Sequence, residues 1–153
     1  MMKKFLLKKF IANRDGNVTI ELALIMIVMA AVIVLGVDFS RMTIEKHRLE
    51  QFARAGAQFG LLGQSQAQDL VGVAAAVSEA AGDDAGDITV TVRNFCECPG
   101  GIATPCEDEC AGAIVPDLFL EVLVSKDFDY LFSMASNLTG AITLGGEATV
   151  RLR

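Results

Sequence analysis

The chain has 153 residues, 52% of them hydrophobic, a formal net charge of −6 and a mean hydropathy of +0.45. That length points to one compact domain, but the apolar excess is concentrated between Val18 and Val37. Residues 1–16 carry five basic side chains against one acid, whereas the remaining 137 carry 8 basic and 18 acidic ones, which excludes a nucleic-acid binder and fits a membrane-inserted chain.

Residues 1–16 read as a basic leader with a small apolar patch (Phe5, Leu6, Leu7, Phe10, Ile11), closed by the turn-forming run Asn13-Arg14-Asp15-Gly16. Residues 17–38 then read as a transmembrane helix. Val18 to Val37 is 20 residues long with a single charge, Glu21. Twenty helical residues span about 30 Å, the thickness of a bilayer's hydrocarbon core. A small domain could hardly cover so apolar a helix on every side, which argues against a buried core helix. Basic residues cluster before the span, so the positive-inside rule puts the N-terminus in the cytoplasm. The expected location is a bacterial inner membrane, crossed once, with residues 39–153 periplasmic or extracellular and contact with membrane lipid.

Helical periodicity continues past the span. Met42, Leu49, Phe52, Gly56, Phe59 and Leu62 recur at helical spacing, while Glu45, Lys46, Arg48, Glu50 and Arg54 take other faces. One helix from about Val18 to Leu62 is expected, on the order of 65 Å long, with Gly63 as its stop. Ser65-Gln66-Ala67-Gln68 fits a capping box for a second helix running to Ala81, with Leu70, Val73, Ala74, Val77 and Ala81 on its apolar face.

After Gly82-Asp83-Asp84-Ala85-Gly86 the period changes to two. Ile88, Val90 and Val92 alternate with Thr89, Thr91 and Arg93. Leu118, Leu120, Val122 and Val124 alternate with Phe119, Glu121 and Leu123. Ile142, Leu144, Ala148, Val150 and Leu152 alternate with Thr143, Glu147, Thr149 and Arg151. These predict three strands, each with one buried face, and an irregular stretch over Asp127–Asn137 between the last two. The expected fold is therefore α+β, with a long N-terminal, partly transmembrane helix packed on a small three-stranded antiparallel sheet.

All four cysteines, Cys96, Cys98, Cys106 and Cys110, fall in the loop 96–110. Their spacing is not that of common zinc ribbons or fingers, and an oxidising compartment favours two disulfides. Three connectivities are open, of which the nested pairs Cys96–Cys110 and Cys98–Cys106 are the simplest. Glu97, Glu107, Asp108 and Glu109 surround them without the spaced oxygen ligands of a calcium loop. His47 is the one histidine and sits on a charged helical stretch. No nucleophile motif or phosphate-cradling glycine loop is present, so neither an enzyme nor a cofactor is expected.

The informative constellation is Gly16, Asn17-Val18-Thr19-Ile20, then Glu21 at the start of the apolar run. A glycine at the cytoplasmic edge gives a protease close access to the backbone. A carboxylate inside an apolar span costs roughly 2.5–3.5 kcal/mol near the centre and less near an edge, which marks Glu21 as functional. Cleavage after Gly16 would free the Asn17 amine, which is largely protonated at neutral pH. That cation and the Glu21 carboxylate of a neighbouring chain, about 4 Å apart, would attract by around 4 kcal/mol at an effective dielectric of 20, before desolvation. A rival reading cuts after Val34-Leu35-Gly36, as for an ordinary signal peptide, and leaves Glu21 unexplained.

Arg14-Asp15-Gly16, the spacer, Ile20-Glu21-Leu22-Ala23-Leu24 and the apolar run resemble the N-terminus of the TadE-like family, minor pseudopilins of the tight-adherence (Flp-type) pilus. Arg48-Leu49-Glu50-Gln51-Phe52-Ala53-Arg54-Ala55-Gly56-Ala57 resembles the stretch after the span in that family, and Gly146-Glu147-Ala148-Thr149-Val150-Arg151 resembles its closing strand. The resemblance implies a pilin-like fold and a prepilin-type leader, residues 1–16, removed by a dedicated prepilin peptidase. Gly16 and Asn17 would flank the scissile bond and Glu21 would serve assembly. Leu22 stands where the family's major pilins tend to have tyrosine, which favours a minor subunit. Implied partners are other pilins and pseudopilins, the peptidase and the inner-membrane assembly platform, and the implied role is adhesion or biofilm formation. The alternative is a signal-anchored periplasmic interaction module that never enters a filament.

Overall fold

The computed structural model describes residues 15–131 and 140–152. The leader's apolar patch (Phe5, Leu6, Leu7, Phe10, Ile11) and residues 132–137 of the expected irregular stretch lie outside them. The chain divides into two units, Met1–Ser40 and Arg41–Arg153.

Helix α1 runs from Asp15 to Gly60 without interruption. It begins earlier than expected, because Asp15 and Gly16 are helical rather than part of a turn. In the first unit its side chains from Val18 onward are almost all exposed, as an apolar helix with no protein around it must be. Where the apolar run ends, the Ser40 hydroxyl donates to the Gly36 carbonyl one turn back at 2.8 Å, so a polar residue follows without breaking the helix.

In the second unit the buried stripe of α1 is Leu49, Ala53 and Ala57, one turn apart, flanked by Gly56 and Gly60. Met42, Phe52 and Phe59 pack partly buried beside it. Leu62, expected on this stripe, is 75% exposed. The helix ends at Gly60, and the Leu61 and Leu62 amides close a turn onto Ala57, Gln58 and Phe59, which takes Leu62 off the helical face.

The expected second helix is two. Helix α2 spans Gln64–Gln68 and α3 spans Leu70–Ala81. The Ser65 hydroxyl donates to Gln66 Oε1, and the real cap is Asp69, whose carboxylate accepts from the Gly72 amide at 2.9 Å. Asp69→Ala removes that acceptor and should cost about 1 kcal/mol, read as a lower midpoint in thermal unfolding. Val73, Val77 and Ala81 are buried as expected, whereas Leu70 is at the surface.

A 3-10 turn, Gly82–Gly86, leads into the strands β1 (Thr89–Cys98), β2 (Ile102–Thr104), β3 (Asp117–Phe128) and β4 (Ile142–Arg151). The sheet has four strands rather than three, in the order β2-β1-β3-β4, with every neighbouring pair antiparallel. The unexpected strand, β2, is a three-residue return of the cysteine loop that pairs Cys96 with Thr104 and Cys98 with Ile102. Its turn has Pro99 followed by Gly100 and Gly101 at φ 102° and 77°, values that glycine adopts without strain. β3 also extends four residues past the expected strand. Ser125–Phe128 pair with Ile142–Gly145, and Thr143 Oγ1 donates to Asp127 Oδ1 at 2.7 Å, so Asp127 and Phe128 leave the irregular stretch.

One face of the sheet carries Leu120, Val122, Val124 and Leu144 into a core shared with Leu49, Ala53, Ala57, Val73 and Val77. This is a two-layer α+β head. The other face carries the Phe95–Phe119 stack, ring centroids 5.3 Å apart. Arg93 lies over Phe95 and hydrogen-bonds Glu121, its cross-strand partner, and that carboxylate raises the guanidinium pKa above its usual value.

Candidate functional site

The residues singled out by the sequence fall in two regions, the start of α1 and the cysteine loop. Gly16 and Asn17 lie in the first turn of α1, so the bond between them is inside a helix. A protease that cuts extended backbone must unwind that turn, and a glycine there costs the helix about 1 kcal/mol relative to alanine. Glu21 lies four residues beyond Asn17 on the same helical face, about 6 Å along the axis. The most apolar 18-residue window of this helix has a mean hydropathy of 2.9 and is 0% buried. It is long and apolar enough to cross a membrane.

The cysteine loop departs from the simplest expectation. The pairs are Cys96–Cys106 and Cys98–Cys110, with Cα separations of 5.1 and 5.6 Å. They interlock instead of nesting. The reason lies in β1, where Cys96 and Cys98 are two residues apart and share the face that turns toward the helices. Asn94, on that face, donates to the Ala67 carbonyl at 3.1 Å, which is where the helical layer ends. Beyond it the loop folds over the strand. Cys106 lies two residues past the end of β2 and bonds Cys96, and Cys110 returns further along to bond Cys98. Cys96 and Cys110 are buried, so the cystines extend the core past the last helix.

Among the described residues, no three His, Cys, Asp or Glu side chains are placed to share a metal ion. The acids Glu107, Asp108 and Glu109 are exposed on the loop. His47 is exposed, 3.7 Å from Glu50 one turn on. Asp84, which no motif singled out, joins Arg48 at 2.5 Å and Lys126 at 3.3 Å, tying α1, the 3-10 turn and β3 together. Its spacing from both partners, 36 and 42 residues, hides it from any local pattern.

The model of the TadE-like protein family matches residues 16–58. This segment is TadE-like. The match begins at Gly16, takes in Asn17 and Glu21, and runs through the apolar stretch into Leu49, Ala53 and Ala57, the residues that bury α1 in the head. The likeness covers under a third of the chain, and the matched helix is consistent with a membrane anchor. No curated protein and no solved structure matches the chain.

Proposed function

We propose that the chain is a structural subunit, a minor pseudopilin that primes, caps or stabilises a tight-adherence pilus. The observation that carries this reading is the coincidence of the family match with Gly16, Asn17 and Glu21 at the head of an apolar helix. In this account residues 1–16 are the leader, and a prepilin peptidase cuts after Gly16. The helix anchors the chain once in the inner membrane, N-terminus inside, with the α+β head outside. The freed Asn17 amine then pairs with a Glu21 carboxylate in a medium of low dielectric. Its own Glu21 lies one turn away on the same face, so a neighbour's carboxylate must compete with an intramolecular partner. Packing of the apolar helices against one another favours the exchange, because each buried pair is then shared along the filament axis.

Glu21→Ala tests the proposal. The variant should insert in the membrane at least as well as the parent, since it removes a charge from the apolar run. Its recovery in sheared surface filaments should fall by tenfold or more, measured by immunoblot against the membrane fraction. Unchanged recovery would favour an anchored module with no filament role.

A further inference from the structure

The cystine loop presents three exposed aliphatic side chains on a backbone tied by covalent and hydrogen bonds. Ile102 is the strand partner of Cys98, Cys98 is bonded to Cys110, and the Cys110 amide donates to the Ile114 carbonyl at 2.8 Å. Ile102, Ile114 and the adjacent Val115 are 66%, 48% and 59% exposed. A stiff, exposed aliphatic knob ringed by polar groups is the make-up of a contact surface. Glu107, Asp108 and Glu109 are exposed on the same loop. Between Arg93 and Lys126 there are six acids and no Lys, Arg or His.

The complementary surface is in the same chain. Arg41–Arg54 is a net-positive stretch, with four Arg and Lys against two acids. At its end a depression of about 280 Å³ lies between α1 and β4. Ala57, Ala148 and Val150 give it an apolar lining, and Arg54, Gln58 and Glu147 stand around them. The small side chains of the α1 stripe leave this space, and β4 is the edge strand of the sheet.

We infer that the cystine knob of one copy docks in the α1–β4 depression of the next, Ile102 entering over Ala57 and Ala148 and the loop acids facing Arg54. The two surfaces are different patches of one molecule. Such a contact is heterologous, so one copy can engage a second without using up both of its surfaces. It deepens the pilus-subunit reading and rests on it, supplying a head-to-head contact outside the membrane in addition to the one at Glu21.

The test uses the full chain in cells that make it, with the photoreactive substitution Ile102→p-benzoylphenylalanine. Ile102 is exposed, so the head tolerates the change. The expected product is a covalent dimer of this chain whose cross-linked peptide contains Arg54–Gln58 or Glu147–Val150. Charge reversal of Glu107, Asp108 and Glu109 to Lys should lower its yield at least tenfold, and adding Arg54→Glu should recover it. No self-adduct, a self-adduct mapping elsewhere, one indifferent to the charge reversals, or adducts with lipid or other proteins alone would overturn the inference. The sheared filament fraction separates the two claims. A chain present there without a self-adduct sinks the docking contact alone, and a chain absent from it sinks the filament reading as well.

Discussion

Gly146→Ala should destabilise the head by about 3 kcal/mol, lowering the midpoint of thermal unfolding by on the order of 15 °C. Gly146 faces the helices from β4, and a Cβ there would lie 2.6 Å from the Leu49 carbonyl oxygen and closer still to the Glu50 amide nitrogen. Those are backbone atoms of α1, which cannot rotate away. The helix must lift from the sheet, and with it Leu49, Ala53 and Ala57 lose the contacts that bury them. The neighbouring glycine is the control. A Cβ at Gly145 meets nothing within 4 Å, so Gly145→Ala should leave the midpoint unchanged or slightly raised. Equal effects at the two positions would mean that α1 does not pack on β4 at this height.

Removing either cystine should cost about 2–4 kcal/mol, whether by Cys96→Ala with Cys106→Ala or by Cys98→Ala with Cys110→Ala. The bridges close sequence separations of 10 and 12 residues, so the loop-entropy contributions are alike. The first pair should cost more, because Cys96 is 2% exposed and its loss also opens the core beside Asn94. Strand β2 has only three residues and pairs with Cys96 to Cys98 of β1, so it should lose amide-exchange protection in either double variant. A digest that cuts after glutamate tells interlocked from nested bridges. Cuts after Glu97 and Glu107 put Cys98 and Cys106 on one peptide. Interlocked bridges leave three peptides joined in one species, and nested bridges would release the 98–107 peptide with its own internal bond.

What the sequence showed and what it hid follow from the range of the interactions. The apolar span, the amphipathic continuation of α1 and the three longer strands are written in periods of a few residues, and each forms around the residues that carry its period, with ends that shift. Gly16, Asn17 and Glu21 form one linear motif at the head of that helix, which is why a sequence reading can propose them. Gly146 was not, since it continues the alternation of Leu144 and Ala148 without a side chain to mark it. The same holds for Ala53 and Ala57, whose small size reflects how closely the sheet approaches. Strand β2 is too short to show a period and exists because of its partner and its cystines. The bridge pattern depends on which face of β1 the loop folds over, and Asp69 outcompetes Ser65 as a cap because its carboxylate reaches the Gly72 amide. Each of these is set by tertiary contact or local geometry that a hydropathy pattern does not encode.

The measurement that bears most directly on the account is the N-terminus of the mature chain, read by mass spectrometry of intact protein from membrane and sheared surface fractions. The account predicts a chain beginning at Asn17 in both fractions. A chain beginning at Val37 would mean a secreted head without its anchor, an intact Met1 in the surface fraction would mean assembly without leader removal, and either would contradict it.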